Sequence, residues 1–424
     1  MAPKLVVCVG SYDKKLFAFE TTTLPADGER KKKLPFAFGS PSHDGAVRCM
    51  AVSGHLLVTG STDESVRFFD LKKRVECGQL LEHTGPVQVV QFIGKKGSLL
   101  ASCSDDGSIK VYEKEKGWDV IADLMPKDKH GKEKTGVPVV GLAVHPSGKV
   151  ALSIGKNDGL RLWDLHKGIC AQKRKVLPSF DRVAWLNGGE HFIMFGPESA
   201  QIMQSTFIST AMDIKLDTRI SCVHELKQGM LAVGDESGVA HLYDIANMTK
   251  IGAVVCHASR LKDITPIMSF GGRDILATIS SLGEVRVWDA EELIEASQAG
   301  ESSFTEAVEP LLETSSPSRL LTLAMVIIGA EEGAGGSGGM EKAKKEIKKA
   351  KKSLLRKKRI MANPKEEDSV VEAEGDVAAK AKKSKKGKVL KRGSEASSKS
   401  GLKGRVKKVK KVKKSALKKK AGKE

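Results

Sequence analysis

One phrase returns seven times along the chain, and its spacing restricts the possible folds more than any other feature. LLVTGSTDESVRFFD (56–70) shows it whole: an apolar run, a Gly-Ser turn, an Asp two positions later, then alternating residues that close on an aromatic and an acid. GSYDKKLFAFE (10–20), SDDGSIKVYE (104–113), GKNDGLRLWD (155–164), GDESGVAHLYD (234–244) and SSLGEVRVWD (280–289) have the same parts, and FGPESAQIMQ (195–204) is a degraded copy. The closing residues Glu20, Asp70, Glu113, Asp164, Gln204, Asp244 and Asp289 are 50, 43, 51, 40, 40 and 45 residues apart.

A period of 40 to 50 residues with WD-like endings marks an all-β, seven-bladed WD-repeat β-propeller, four strands to a blade. The local chemistry agrees. VRFF, LRLW and VRVW alternate as strands with one buried face do. Gly, Asn, Asp and Ser fill the preceding turns, where positive φ or side-chain-to-backbone bonds are needed. One blade alone would leave both faces wet, so neighbours must stack. The chain opens mid-blade, with LVVCVG and KLFAFE reading as second and third strands. A spare apolar run after the seventh phrase, RLLTLAMVII (319–328), is expected to be the innermost strand of the first blade, closing the ring and removing an open edge. The expected organisation is a propeller over 1–328, a Gly-rich linker over 329–339 and a basic tail over 340–424.

Charge divides at the same place. Residues 340–424 carry 33 Lys plus Arg against 10 Asp plus Glu, a net of +23, whereas residues 1–339 carry a net of −4. The tail has no aromatic residue and no Cys, so it cannot bury enough apolar surface to offset its ordering entropy. It reads as disordered or partly helical. Ala343, Ile347, Ala350 and Leu354 line one face of a candidate basic amphipathic helix over 340–362, stopped by Asn363-Pro364. Arg356, Lys357, Lys358 and Arg359, then Lys382, Lys383, Lys385 and Lys386, then Lys407, Lys408, Lys410, Lys411, Lys413 and Lys414 are candidate nuclear-import or nucleic-acid contacts. Such an arm binds phosphate backbones through counterion release. It has no aromatics with which to read bases. No lipidation motif accompanies the charge, and the longest apolar run, 320–328, is far short of the roughly 20 residues of a membrane helix. No membrane partner is expected. The N-terminus is too short and polar for a signal peptide, and seven scattered cysteines without a CxxC pair argue for a reducing compartment.

Several residues could be mistaken for chemistry. His83, Ser102, Asp106 and Tyr112 of the third blade, and His43, Thr59 and Asp63 with Phe69 of the second, resemble a Ser-His-Asp triad. The set recurs at the blade period, so it is expected to be a structural hydrogen-bond network rather than a nucleophile. Phe69 has no N–H to give, which leaves the second blade's network incomplete. Asn157 and Leu282 stand at the Asp position of blades four and seven, and the later blades are expected to rely more on packing. No catalytic constellation, phosphate-cradling loop, metal site or cofactor site is found. The charged segments 21–33 and 125–136 read as exposed rim loops. Acidic residues between Asp289 and Glu313 read as a solubilising loop or a transient hold for the basic tail.

LLVTGSTDESVRFFDLKKRVECGQLLEHTGPVQVVQF (56–92), LAVHPSGKVALSIGKNDGLRLWDLHKGICA (142–171) and CHASRLKDI (256–264) resemble the p21-activated protein kinase-interacting protein 1 family across roughly residues 4–330. The resemblance implies a non-catalytic nucleolar WD-repeat protein that assembles the large (60S) ribosomal subunit and supports pre-rRNA processing. It also implies, as the alternative, an adaptor that binds and restrains a p21-activated kinase. The expected partners are pre-60S particle proteins and pre-rRNA, with the chain a monomer within that larger assembly, in the nucleus and nucleolus.

Overall fold

A computed structural model describes residues 2–329, apart from 27, 95–96, 126–136, 207–209, 228 and 299–307. The described residues form seven sheets, antiparallel apart from one edge pair in blade seven, each with its first strand innermost. Blades two to six run in plain order, for example Val47–Ser53, Leu56–Ser61, Val66–Asp70 and Val75–Leu80 in blade two. Blade one is assembled from both ends of the ring: Leu320–Ile328 is its innermost strand and pairs with Lys4–Ser11, from Lys4↔Ile328 to Ser11↔Leu320. The candidate tail helix and all the tail Lys and Arg clusters lie outside the described residues.

Stacking, not any single blade, makes the core. The buried apolar side chains fall into seven clusters, each shared by two neighbouring blades. Between blades seven and one, Leu320, Leu323 and Met325 meet Ile275, Ala277 and Ile279. Between blades three and four, Cys103 and Ile109 meet Val139, Leu142 and Trp163. The Gly of the repeated phrase is explained by the same stacking. A Cβ on Gly60 would stand 2.7 Å from Val87 Cγ1 and 2.7 Å from Cys49 Sγ, where the next blade's first strand presses on the second strand. Gly10 meets Val47, and Gly234 meets Leu261, in the same way.

The terminal acid of the phrase is a turn device. Asp70 Oδ1 accepts the N–H groups of Lys72 and Lys73, Asp164 Oδ1 those of His166 and Lys167, and Asp244 Oδ1 those of Ala246 and Asn247. An Asx turn thus ends the third strand and starts the fourth.

The charged segment 21–33, read as a loop, ends in a strand built into the rim. Lys32–Lys33 adds a parallel strand outside Leu312–Ser315 of blade seven, with Leu312↔Lys32 and Glu313↔Lys33. Arg30 pairs with Glu292 at 2.5 Å and Lys31 with Glu309 at 2.8 Å. Part of the acidic stretch is the helix Ala290–Gln298, whose Leu293 is buried against blade six. It lies so close that a Cβ on Gly252 would meet the Ser297 carbonyl. Glu292 and Glu309 are therefore already partnered within the ring. Residues 126–136 of the other segment lie outside the described residues.

Candidate functional site

Strands alternate in direction within a blade. The loops joining second to third strands therefore share one end of the ring with the loops leading to the next blade. The repeated polar residues meet at that end. In blade two, His43 Nε2 lies 2.7 Å from Thr59 Oγ1 and His43 Nδ1 lies 3.0 Å from Asp63 Oδ2. In blade three the corresponding distances are 2.7 Å from His83 Nε2 to Ser102 Oγ and 2.8 Å from Nδ1 to Asp106 Oδ2. Tyr112 Oη is 3.2 Å from Ser102 Oγ. All seven residues named from the sequence are thus brought together in their two blades. Ser65 and Ser108 join them: each hydroxyl donates to the Asp of its blade, at 2.6 and 2.7 Å. They stand two residues after that Asp, a spacing that could have revealed them.

Blade seven corrects the expectation that later blades rely on packing. Leu282 does stand at the Asp position, but Glu284 supplies the carboxylate from two residues further on. His257 Nδ1 is 2.8 Å from Glu284 Oε2, and His257 Nε2 is 2.8 Å from Thr278 Oγ1. The Trp288 indole N–H donates to the same hydroxyl at 2.8 Å. Blade six centres on Asp235, which accepts from Thr218 and Ser237 and lies 3.3 Å from His241 Nε2. In blade four the Trp163 indole donates to Ser153 Oγ at 2.8 Å, and Asn157 takes the turn position at φ 56°.

Electrostatics fixes the proton positions. Burial pushes the His43 imidazole below its ordinary value despite Asp63, and burial pushes His257 down to about 4 despite Glu284. Burial raises the Asp63 carboxyl, but bonds from Ser65 and the Asp44 N–H outweigh it and hold the group well below the usual range. Asp106 and Asp235 are held low against burial in the same way, by His83 and Ser108, and by His241 and Thr218. With neutral His257, Nδ1–H donates to the carboxylate and Nε2 accepts from the hydroxyl, whose oxygen accepts the indole N–H.

This arrangement ties together the loops and strands of a single blade and is ill suited to nucleophilic attack. Thr59, Ser102 and Thr278 are completely buried, and each hydroxyl is occupied by its imidazole. Burial pushes the Cys8, Cys49 and Cys256 thiols up to about 12, away from the reactive thiolate. Among the described residues no group of three or more His, Cys, Asp or Glu is placed to hold a metal ion. What the network end does offer is contact surface. Tyr12, Leu81, Leu177 and Leu282 stand on its loops at 63%, 68%, 57% and 71% exposure.

The pattern of the WD domain, G-beta repeat, matches residues 37–70 and 75–113, from the outer strand of blade one to the third strand of blade three. A Gallus gallus protein named p21-activated protein kinase-interacting protein 1-like is 27% identical over 353 residues, 83% of this chain and 88% of its own length. The Schizosaccharomyces pombe Shk1 kinase-binding protein 15 is 29% identical over 66% of this chain and 76% of its own length. Protein MAK11 of Saccharomyces cerevisiae is 24% identical over 67% and 77%. With seven stacked blades and similarity that runs through most of them, the chain is a seven-bladed WD-repeat propeller similar to proteins named p21-activated protein kinase-interacting protein 1-like.

Proposed function

We propose that the chain is a non-catalytic scaffold for assembly of the large (60S) ribosomal subunit. The ring docks on proteins of the pre-60S particle, and the Lys-rich tail reaches pre-rRNA in the nucleolus. The observation that carries this reading is the charge division: a net of −4 over residues 1–339 and +23 over 340–424. A protein-docking ring has no need of an 85-residue polycation, whereas a factor that works on an RNA-rich particle does. The buried networks support a structural rather than a chemical use of the histidines. The test compares the full chain with one ended at residue 339. Nucleolar signal and sedimentation with pre-60S particles that both depend on the tail are expected. A diffuse cytoplasmic signal, with normal 60S levels on depletion, would refute the proposal.

A second reading is an adaptor that binds a p21-activated kinase and restrains its activation. It is favoured by the names of the relatives, p21-activated protein kinase-interacting protein 1-like and Shk1 kinase-binding protein 15. It predicts capture of the kinase regulatory region by a chain lacking the tail, with slower kinase activation. Absence of capture at micromolar concentration would remove it.

A further inference from the structure

In six of the seven blades the register of the innermost strand breaks near its start, as at a β-bulge, and one residue there has no partner across the ladder. The six are Leu321, Arg48, Gln88, Val140, Ser221 and Lys262, of blades one, two, three, four, six and seven. First strands start at the network end, so these positions encircle the mouth of the ring there. None of the six is an acid. Blade five keeps its register, and its strand starts at Arg182, whose Nη1 donates to the Ser221 carbonyl at 3.1 Å while the guanidinium lies over the Phe195 ring. Ser221 in turn donates its hydroxyl to the Leu261 carbonyl. Arg182, Ser221 and Lys262 are thereby brought side by side across blades five, six and seven.

Lys262 is the anomaly of this group. It is half-buried, yet its ammonium makes no hydrogen bond or ion pair with any described residue. Burial pushes its pKa down, and the Arg260 and Arg182 guanidiniums push it further the same way. Glu236 opposes them but is held by Arg260 at 2.8 Å. Asp263 is turned to His224, at 2.7 Å, and to the Leu323 N–H. Arg182 makes no ion pair either, although Asp181 precedes it. Three cations thus crowd together, each disfavoured by its neighbours, and no acceptor within the ring offsets the lysine's loss of water. An exposed apolar side chain adjoins them. The Ser281 N–H donates to the Arg260 carbonyl at 2.9 Å, which sets the next residue, Leu282, beside the group.

We propose that Lys262 and Arg182, with Arg260 beside them, receive the carboxylates of an acidic segment of a partner polypeptide, and that an apolar side chain next to those acids packs on Leu282. An incoming carboxylate relieves the crowding of cations and gives Lys262 the acceptor that it lacks. A polypeptide fits better than RNA because the cations form a spot and not a track. Asp181, Asp217 and Glu236 stand on the loops around them, and a nucleic-acid backbone with a charge at every nucleotide would run across those acids. A short acidic run flanked by apolar residues avoids them. The inference goes beyond the assembly reading and stands whether the partner belongs to a ribosomal particle or is a kinase.

The test uses the full chain and the capped tetrapeptide Leu-Glu-Glu-Leu. Carbodiimide coupling joins its carboxylates to lysines, and mass spectrometry reads each lysine separately, so the tail serves as an internal reference. Acetylation by a neutral N-hydroxysuccinimide ester, read at Lys262 in the same way, corrects for any change in the amine's own reactivity. Corrected coupling at Lys262 is expected to fall about tenfold in Arg182→Gln, the scale of one lost charge-assisted contact, and several-fold in Leu282→Gln. Both side chains are exposed, so the ring should stay folded, and tail coupling should be unchanged. Corrected coupling that is undiminished in Arg182→Gln overturns the proposal, and coupling undiminished in Leu282→Gln alone overturns its apolar half. Ultraviolet crosslinking of oligouridylate to segment 260–264 that Arg182→Gln abolishes also overturns it, by assigning the mouth to RNA.

Discussion

Thr278→Val and Thr59→Val should differ in cost by the worth of one buried indole N–H. Both threonines are completely buried and sit at the same place in their blades, and valine matches threonine in shape, so neither change opens a cavity. In blade two the hydroxyl serves His43 alone, because Phe69 stands where blade seven has Trp288. Thr59→Val therefore orphans one imidazole nitrogen, at about 1–3 kcal/mol. In blade seven the hydroxyl serves both His257 Nε2 and the Trp288 indole, each at 2.8 Å. Trp288 is 1% exposed, so no water can replace the lost acceptor. Thr278→Val orphans two groups and should cost about 2–5 kcal/mol, leaving a difference of roughly 2 kcal/mol. Urea denaturation of the full chain, followed by tryptophan fluorescence and far-ultraviolet circular dichroism, measures both. Equal losses would refute the assignment of the hydroxyl as a double partner, and so would a larger loss for Thr59→Val.

Acid should destabilise the ring in two ranges. His257 is held neutral by burial, with a folded value of about 4, so the unfolded chain binds protons first as pH falls below about 6.5. That loss grows to about 3 kcal/mol by pH 4. The lowered carboxyls of Asp63, Asp106 and Asp235 act below that: their contribution is present above about pH 4 and is lost as pH falls through their folded values. A denaturation midpoint that stays flat from pH 7 to pH 4.5 contradicts the first part. Gly60→Ala should cost more than Gly168→Ala, by thermal melting. Gly168 has φ 66° but would place a Cβ 3.6 Å from Leu124, so it loses only about 1 kcal/mol through the backbone. Gly60 would drive a methyl into Val87 and Cys49, at about 1–3 kcal/mol with little room to relax. Deleting Arg319–Ile328 should abolish cooperative melting, because Leu320, Leu323, Ala324, Met325 and Val326 are all buried between blades. An unchanged transition after that deletion would refute ring closure by this strand.

The blade count was legible because each phrase carries several independent constraints at once. Gly60 is needed for close approach, Asp70 for the turn, and Val66, Phe68 and Phe69 for burial, so the phrase survives loss of any one part. The network of blade seven was not legible. A reading by fixed position looks for an acid at residue 282 and finds Leu, while Glu284, longer by one methylene, reaches His257 from the start of the next strand. The strand Lys32–Lys33 was invisible for another reason. Two residues show no periodicity, and their parallel partner Leu312–Ser315 lies some 280 positions away in sequence. The charge imbalance of blade four is likewise hidden until cross-strand register places Arg161 opposite Lys173.

These departures share a direction. A closed ring tolerates little change in its seven inter-blade clusters, so variation is confined to loops and to positions where a second residue can assume the structural task. Blade seven moves its carboxylate to Glu284, and the turn position thereby released holds Leu282, the most exposed large apolar side chain among the described residues at 71%. Blade four carries Lys173 in place of the acid on its outer strand, and Arg161 turns to Asp158 instead. In both blades a polar partner that symmetry would place inside the repeat is displaced or missing, and in both an exposed leucine stands beside the change. A ring selected only for stability would restore the pairings, as Lys110–Asp123 does in blade three. The missing acid of blade four and the displaced one of blade seven both lie at the network end, where Leu177 and Leu282 are turned to solvent.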